Sequence, residues 1–293
     1  MFAPAVIQEL TGGRLHLSHG PIDIVLKAWG RPHALRAAYA AAARRFPQVL
    51  PELCEELQAL RRPLTDTCAL TGPIARRMLE ACRPFAGVFL TPMAAVAGAV
   101  ADELMAHLLA AARLERVFVN NGGDIAVFMA PDQALEVGIA GAFSRSNLPA
   151  LNGRLSLKAG SGVGGIATSG ARGRSFSLGI ADAVTVLGRT AAAADAAATL
   201  IANAVNIDSP AVVRRPAVEL DCDSDLGRRP VTVAVGALTP GEIEGALAAG
   251  AARAEDWRRQ GLIIAAALML AGRSRLVGEA PLAGAAQPVM SER

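Results

Sequence analysis

Apolar and polar residues alternate early in the chain. Residues 14–17 (RLHL) and 22–28 (IDIVLKA) put every second side chain on one face, the period of a half-buried strand. A turn over residues 18–21 joins the two, with Asp23 and Lys27 pointing away from the core. Residues 33–60 change to helical composition. Pro47 and Pro51 predict a break into two helices there, because proline removes a helical hydrogen bond and crowds the preceding turn. Thr71 caps a short helix running through Cys82, with Pro73 in its first turn. Thr91-Pro92 opens the next in the same way, and residues 93–113 carry it with Asp102 and Glu103 on the exposed side.

Two short apolar alternations at residues 117–127 (VFVNNGGDIAV) flank an Asn-Gly-Gly turn, a strong hairpin signal. Residues 134–140 and 155–159 read as strands separated by a polar loop containing Asn147, Pro149 and Asn152. Residues 182–187 form another strand, Thr190 is an N-cap, and residues 191–205 form a helix. After a charged connection at residues 214–229 come a strand at 231–236 and a helix from Thr239-Pro240 to about Trp257. The apolar run 262–271 is a buried strand or short core helix, and residues 274–278 close the sheet. Strand hairpins interleaved with helices predict an α+β fold with a largely antiparallel sheet. The chain, residues 1–293, is long enough for a substantial core in one domain or two subdomains.

Composition removes several function classes. Lys plus Arg number 29 against 26 Asp plus Glu, and the basic residues are scattered, so no nucleic-acid footprint is expected. Cys54, Cys68, Cys82 and Cys222 make no CxxC pair, which argues against zinc or iron–sulfur frameworks; they read as reduced, mostly buried thiols. The opening MFAPAVIQEL carries no secretory signal, which makes the cytoplasm the default location. The run 262–271 is half the ~20 residues a membrane-spanning helix needs, and no membrane partner is expected. A homo-oligomer is left open.

Candidate chemistry gathers in residues 164–206. Residues 191–198 hold seven alanines and Asp195, and Asp195 and Thr199, four apart, share one helix face. A carboxylate and a hydroxyl together suit a hard cation such as Mg2+. The plainer alternative is that Asp195 offsets the helix dipole while Thr199 bonds back to the preceding turn. The alanines predict room for a large ligand to approach. GSGVGG at residues 160–165 lacks the Lys-Ser/Thr of a phosphate loop and reads as a flexible turn, although its amides remain available to a pyrophosphate. DCDSD at residues 221–225 lacks the Gly and Glu of a calcium loop and reads as a solvated turn.

Taken in order, VFVNNGGDIAV, IATSG (residues 166–170) and DAAAT (residues 195–199) resemble the ApbE-type FAD:protein FMN transferases. TPMAAVAGAVAD (residues 91–102) extends the resemblance, toward an ApbE-like branch, over most of the chain. The resemblance implies a T-fold-like α+β architecture and two cofactors, Mg2+ and FAD or a related flavin nucleotide. It makes Asp195 and Thr199 magnesium ligands, with the main-chain carbonyl of Ala167 as a third. It places Asn121, Gly122, Gly123 and Asp124 in the flavin-nucleotide pocket, and Thr168, Ser169 and Gly170 near the pyrophosphate and metal. The family's His-x-x-x-Asp-Pro-x-Thr-Gly segment is replaced here by RSFSLGIADAVTVLG, and His16, His19, His33 and His107 all precede the Asn-Gly-Gly turn. Asp182 is the one acid in that stretch placed to act as a base, though a strand-end Asp is also a common turn former. The expected activities are FMN transfer to an acceptor protein or cleavage of the FAD pyrophosphate. The alternatives are a non-catalytic or biosynthetic binder of a pterin, purine or flavin-like cofactor, and a purely structural role for the glycine turns.

Overall fold

The computed structural model describes residues 3–65, 69–143, 149–173, 175–279 and 282–283. Nine strands form one antiparallel sheet in the order β1 (Val6–Leu10), β2 (Arg14–His19), β3 (Ile22–Trp29), β4 (Arg116–Asn121), β5 (Asp124–Met129), β8 (Gly165–Ser169), β9 (Ala183–Gly188), β12 (Ala265–Leu270) and β13 (Arg273–Val277). Between β5 and β8 the chain makes the hairpin β6 (Ala134–Phe143) and β7 (Pro149–Lys158), which β14 (Leu282–Ala283) extends to three strands. A separate ribbon pairs β10 (Val212–Pro216) with β11 (Pro230–Val235). The helices are α1 (Pro32–Glu55), α2 (Leu57–Leu60), α3 (Pro73–Cys82), α4 (Val96–Ala111), α5 (Ala191–Ala204), α6 (Ala217–Leu220) and α7 (Pro240–Arg259). The expected α+β fold with an antiparallel sheet is what the chain adopts.

Strand alternation divides the core in two. On one face of the large sheet, Leu15, Leu17, Ile24, Leu26, Val117, Val119, Val184, Val186 and Leu268 pack under the helices. On the other, Val127, Ile166, Leu187 and Ala265 meet Leu135, Leu155 and Leu157 of the β6–β7 hairpin. Thr239 closes the N-terminus of α7 in a full capping box with Glu242, as the Thr-Pro signal predicts.

Several expectations are corrected. The two prolines do not split the first helical segment: α1 runs unbroken from Pro32 to Glu55 with both inside it. Pro47 and Pro51 lie on the solvent side, where the carbonyls left without helical partners can take water, while Phe46, Val49, Leu50 and Leu53 hold the other side in the core. The helix ending at Cys82 has Gly72 as its N-cap. No side chain caps it, and the two residues just ahead of it are anchored by Glu56, whose carboxylate accepts from Thr71 N at 2.7 Å and Gly72 N at 3.0 Å. The loop expected around Pro149 and Asn152 is part of β7, and Asn147 lies outside the described residues. Among the cysteines, Cys82 is buried, Cys54 half-buried and Cys222 exposed, and Cys68 lies outside the described residues.

The segment Pro92–Ala111, a short 3-10 turn followed by α4, is long and apolar enough to cross a membrane, but it packs against α1, α3 and α5. Its acids are not on an exposed side. Glu103 is 4% exposed and Asp102 is half-buried, because both find partners on neighbouring helices.

Candidate functional site

The Asn-Gly-Gly turn forms a two-residue hairpin. Asn121 pairs with Asp124 across β4 and β5, and Gly122 and Gly123 have φ of +65° and +115°. Positive φ at both central positions suits the strand twist and favours glycine. Asn120 Oδ1 accepts from Gly123 N at 2.9 Å. The buried Asn121 donates its side-chain amide to Ala97 O at 3.1 Å, tying the hairpin to the start of α4. Asp124 Oδ1 accepts from Thr168 N at 3.3 Å, which brings the TSG strand to the same turn.

Thr190 caps α5 as expected, accepting from Ala193 N at 3.1 Å. The alanines of this helix, however, pack against protein. A Cβ added to Gly165 of β8 would lie 2.2 Å from Ala191 N, one on Gly164 2.1 Å from Arg189 O, and one on Gly98 of α4 2.3 Å from Ala191 O. The small residues let α5 settle onto β8 and α4, which corrects the expectation that they leave room for a ligand. The same contacts explain the last two glycines of GSGVGG as packing residues, whereas Gly160 and Gly162, at φ +81° and +75°, shape a turn.

The two helices cap one another. Asp102 of α4 accepts from Ala191 N and Ala192 N of α5 at 3.0 and 2.9 Å. Asp195 of α5 accepts from Gly98 N of α4 at 3.0 Å and also takes the Ala97 amide. The residue at the N-cap position of α4, Ala95, has no side chain able to do this. Asp102 therefore serves the α5 dipole, the role the plainer reading offered to Asp195.

Part of Asp195 reaches solvent, yet the packing around it is dense enough that burial is the main force pushing its carboxyl well above the ordinary carboxylate range. The charge of Asp124 pushes it further, the Gly98 and Ala97 amides pull it down, and Asp102 adds a smaller push upward. Burial, then the charge of Asp195, also raises the Cys82 thiol. A divalent cation between Asp195 and Asp124 would turn this repulsion into attraction, so the donor set fits a hard cation. Among the described residues no three His, Cys, Asp or Glu side chains converge as a complete metal cage. The remaining ligands would have to be hydroxyl, carbonyl, water or substrate oxygens. Thr199, one turn beyond Asp195 and half-buried, is one such donor.

Along β8 the site residues divide between the two faces. Ala167 and Ser169 pair with Val186 and Val184 and face the helices, as Asp195 does. Thr168 turns its hydroxyl to the opposite face, 2.9 Å from Thr185 Oγ1, and only its amide reaches Asp124. Gly170 allows a close approach, since a Cβ there would lie 2.6 Å from Asp182 O. The Asp182 carboxylate is engaged on both oxygens: Oδ1 pairs with Arg172 Nε at 2.7 Å and Oδ2 accepts from Ala271 N at 2.6 Å in the β12–β13 turn. The structure thus joins Asn121, Asp124, Asp195 and the Thr168 amide. Gly98 and Asp102, which complete this arrangement, were not singled out as site residues in the sequence, although both lie in TPMAAVAGAVAD. Surface depressions of about 370 Å³ at Asn206–Arg214 and about 530 Å³ between β1 and α1 lie apart from these residues.

The family model described as "AbpE bacteria" matches residues 7–276. The chain belongs to this family. A UPF0280 protein of Methanopyrus kandleri is 38% identical over 150 residues, covering 51% of this chain and 56% of that protein. Another, from Methanothrix thermoacetophila, is 41% identical over 138 residues, covering 47% and 54%. The chain spans about half the length of the curated relatives it matches. Among solved structures it is similar to the flavin transferase ApbE from Vibrio cholerae, at TM-score 0.48, 10% identity and 94% and 97% coverage. It is also similar to the ApbE protein of Thermotoga maritima, at TM-score 0.45, 13% identity and 94% and 96% coverage.

Proposed function

We propose that this AbpE-family protein binds a flavin nucleotide, FAD or FMN, together with Mg2+. The observation that carries the reading is the half-buried, densely packed carboxylate of Asp195, set against the charge of Asp124 where the Asn-Gly-Gly turn, the TSG strand and the Asp-x-x-x-Thr helix meet. Asp195, Asp124 and Thr199, with the Ala167 carbonyl, would hold the cation. Gly122 and Gly123 would let the nucleotide approach the backbone, and Thr168, Ser169 and Gly170 would line the pyrophosphate. When bound, Mg2+ supplies charge neutralisation on the pyrophosphate.

In the transferase form of this reading, the hydroxyl of an acceptor-protein threonine attacks the FMN phosphorus, the bond to AMP breaks, and the hydroxyl proton goes to a base. In the hydrolytic form, water replaces the threonine. Asp182 is the base the sequence offers, and it would first have to release Arg172 or Ala271 N. That engagement favours, as a second reading, binding of a flavin, pterin or purine cofactor without group transfer.

Calorimetry of the purified protein with FAD, in MgCl2 and then in EDTA, tests the proposal. Binding that requires Mg2+ supports it, and no FAD binding under either condition overturns it. Mass spectrometry of material released on denaturation separates the readings, because a retained pterin would move the assignment to the second.

A further inference from the structure

We propose that the reciprocal capping of α4 and α5 sets which divalent cation is accepted between Asp195 and Asp124, with Asp102 as the positioning residue. The inference rests on the cation reading above and assigns a role to a residue that would not touch the cation. Both Asp102 oxygens are occupied, by Ala191 N and Ala192 N.

Three contacts refer the two cation carboxylates to the first two turns of α4. Asp195 is held by the amides of Ala97 and Gly98. The hairpin carrying Asp124 is held by Asn121 Nδ2 on Ala97 O. The helix carrying Asp195 is held from its N-terminus by Asp102. Steric contact removes the slack that remains, since even a methyl group on Gly98 would come 2.3 Å from Ala191 O. Each carboxylate also accepts from a backbone amide, Asp195 from Gly98 N and Asp124 from Thr168 N, so backbone geometry limits how far the pair can move. Mg2+ requires near-octahedral geometry with oxygens at about 2.0–2.1 Å, whereas Ca2+ accepts six to eight ligands at about 2.3–2.6 Å in flexible arrangements. A rigid pair of carboxylates suits the smaller ion, and loosening the lock should cost Mg2+ more than Ca2+.

The test uses the full chain with FAD present and measures MgCl2 and CaCl2 affinities by calorimetry, with circular dichroism as the check on folding. Asp102→Asn and Gly98→Ala disturb the same contact by different means. Each should weaken Mg2+ roughly 10- to 100-fold, the usual consequence of losing an outer-shell partner, and weaken Ca2+ far less. Asp102→Glu keeps the charge but has a longer reach, and should also lower the preference for Mg2+. Equal weakening of both cations in Asp102→Asn, or a wild-type preference in Asp102→Glu, would overturn the positioning role. If Gly98→Ala does not fold, the two Asp102 variants decide alone. Failure of the wild-type protein to bind either cation overturns the cation reading itself, which is a distinct result.

Discussion

Arg45 of α1 and Glu103 of α4 meet inside the molecule, Nε to Oε1 at 2.9 Å, with side-chain exposures of 6% and 5%. Arg45 also forks onto Glu52, at 2.7 and 2.6 Å, and Glu103 Oε2 takes Arg77 Nε at 3.1 Å. Both buried charges are thus partnered on more than one side, which is the condition under which burying them is tolerable.

Removing one partner should therefore be costly. Glu103→Ala leaves Arg45 held by Glu52 on one side only and is expected to lower stability by about 1.5–3 kcal/mol, read by urea denaturation. A loss below about 1 kcal/mol would place the pair in the class of exposed ion pairs. Burial alone would raise the Glu103 carboxyl, but hydrogen bonds and charge from Arg45 and Arg77 outweigh it and hold the group below the usual range. His107 Nε2 stands 3.3 Å from the same carboxylate. A depressed folded value means that this stabilisation is present above the unfolded value of about 4.3 and is lost as pH falls through the folded one. The melting temperature of the wild type should fall more steeply below about pH 4 than that of Glu103→Gln.

Asp195→Asn keeps an acceptor for the Gly98 amide while removing a charge that burial and Asp124 both oppose. Without cation, this variant should melt at or above the wild-type temperature. Added Mg2+ and FAD should stabilise the wild type and leave the variant unchanged. Equal stabilisation of both would remove Asp195 from the cation site. Thr199→Val should show a smaller loss, since a neutral hydroxyl holds a hard cation less strongly than a carboxylate.

The glycines divide by cause. Gly165→Ala would press a Cβ within 2.2 Å of Ala191 N, a contact with backbone that cannot give way, and should cost more than the roughly 1–3 kcal/mol typical of overpacking. A Cβ at Gly123 would meet no neighbouring atom within 4 Å, so Gly123→Val suffers chiefly from its φ of +115°, and about 1–3 kcal/mol of strain is expected, together with weaker FAD binding. Thermal denaturation orders the two. If Gly123→Val proved the more damaging to stability, the packing account of α5 on β8 would be wrong.

Transfer of FMN to a threonine-containing acceptor should be slow or absent, because no histidine follows Gly170 and Asp182 is engaged by Arg172 and Ala271. General-base assistance is worth about 100- to 10,000-fold, which sets the size of the shortfall. In-gel flavin fluorescence after incubation with FAD and Mg2+ gives the answer. Strong labelling that disappears in Asp182→Asn would make Asp182 the base after all.

Signals that act within a few residues were legible in the sequence. The period of two in β2 and β3, the glycine pair of the β4–β5 turn and the threonine caps of α5 and α7 depend on local φ angles and on hydrogen bonds three residues away. The order of the three family elements also singled out Asn121, Asp124, Thr168 and Asp195, which the fold brings together. What the sequence could not show is what covers each helix face. Helical spacing puts Asp102 and Glu103 on neighbouring positions of α4 but does not show that Arg45 and the N-terminus of α5 lie opposite them. The same limit hid the tolerance of Pro47 and Pro51, the use of the α5 alanines against Gly98 and Gly165, and the anchoring of Thr71 and Gly72 by Glu56. The reciprocal caps join residues 89 and 97 positions apart in the chain. Only folding brings such amides and carboxylates together, and there the cost of leaving either unpaired in the interior selects the partner.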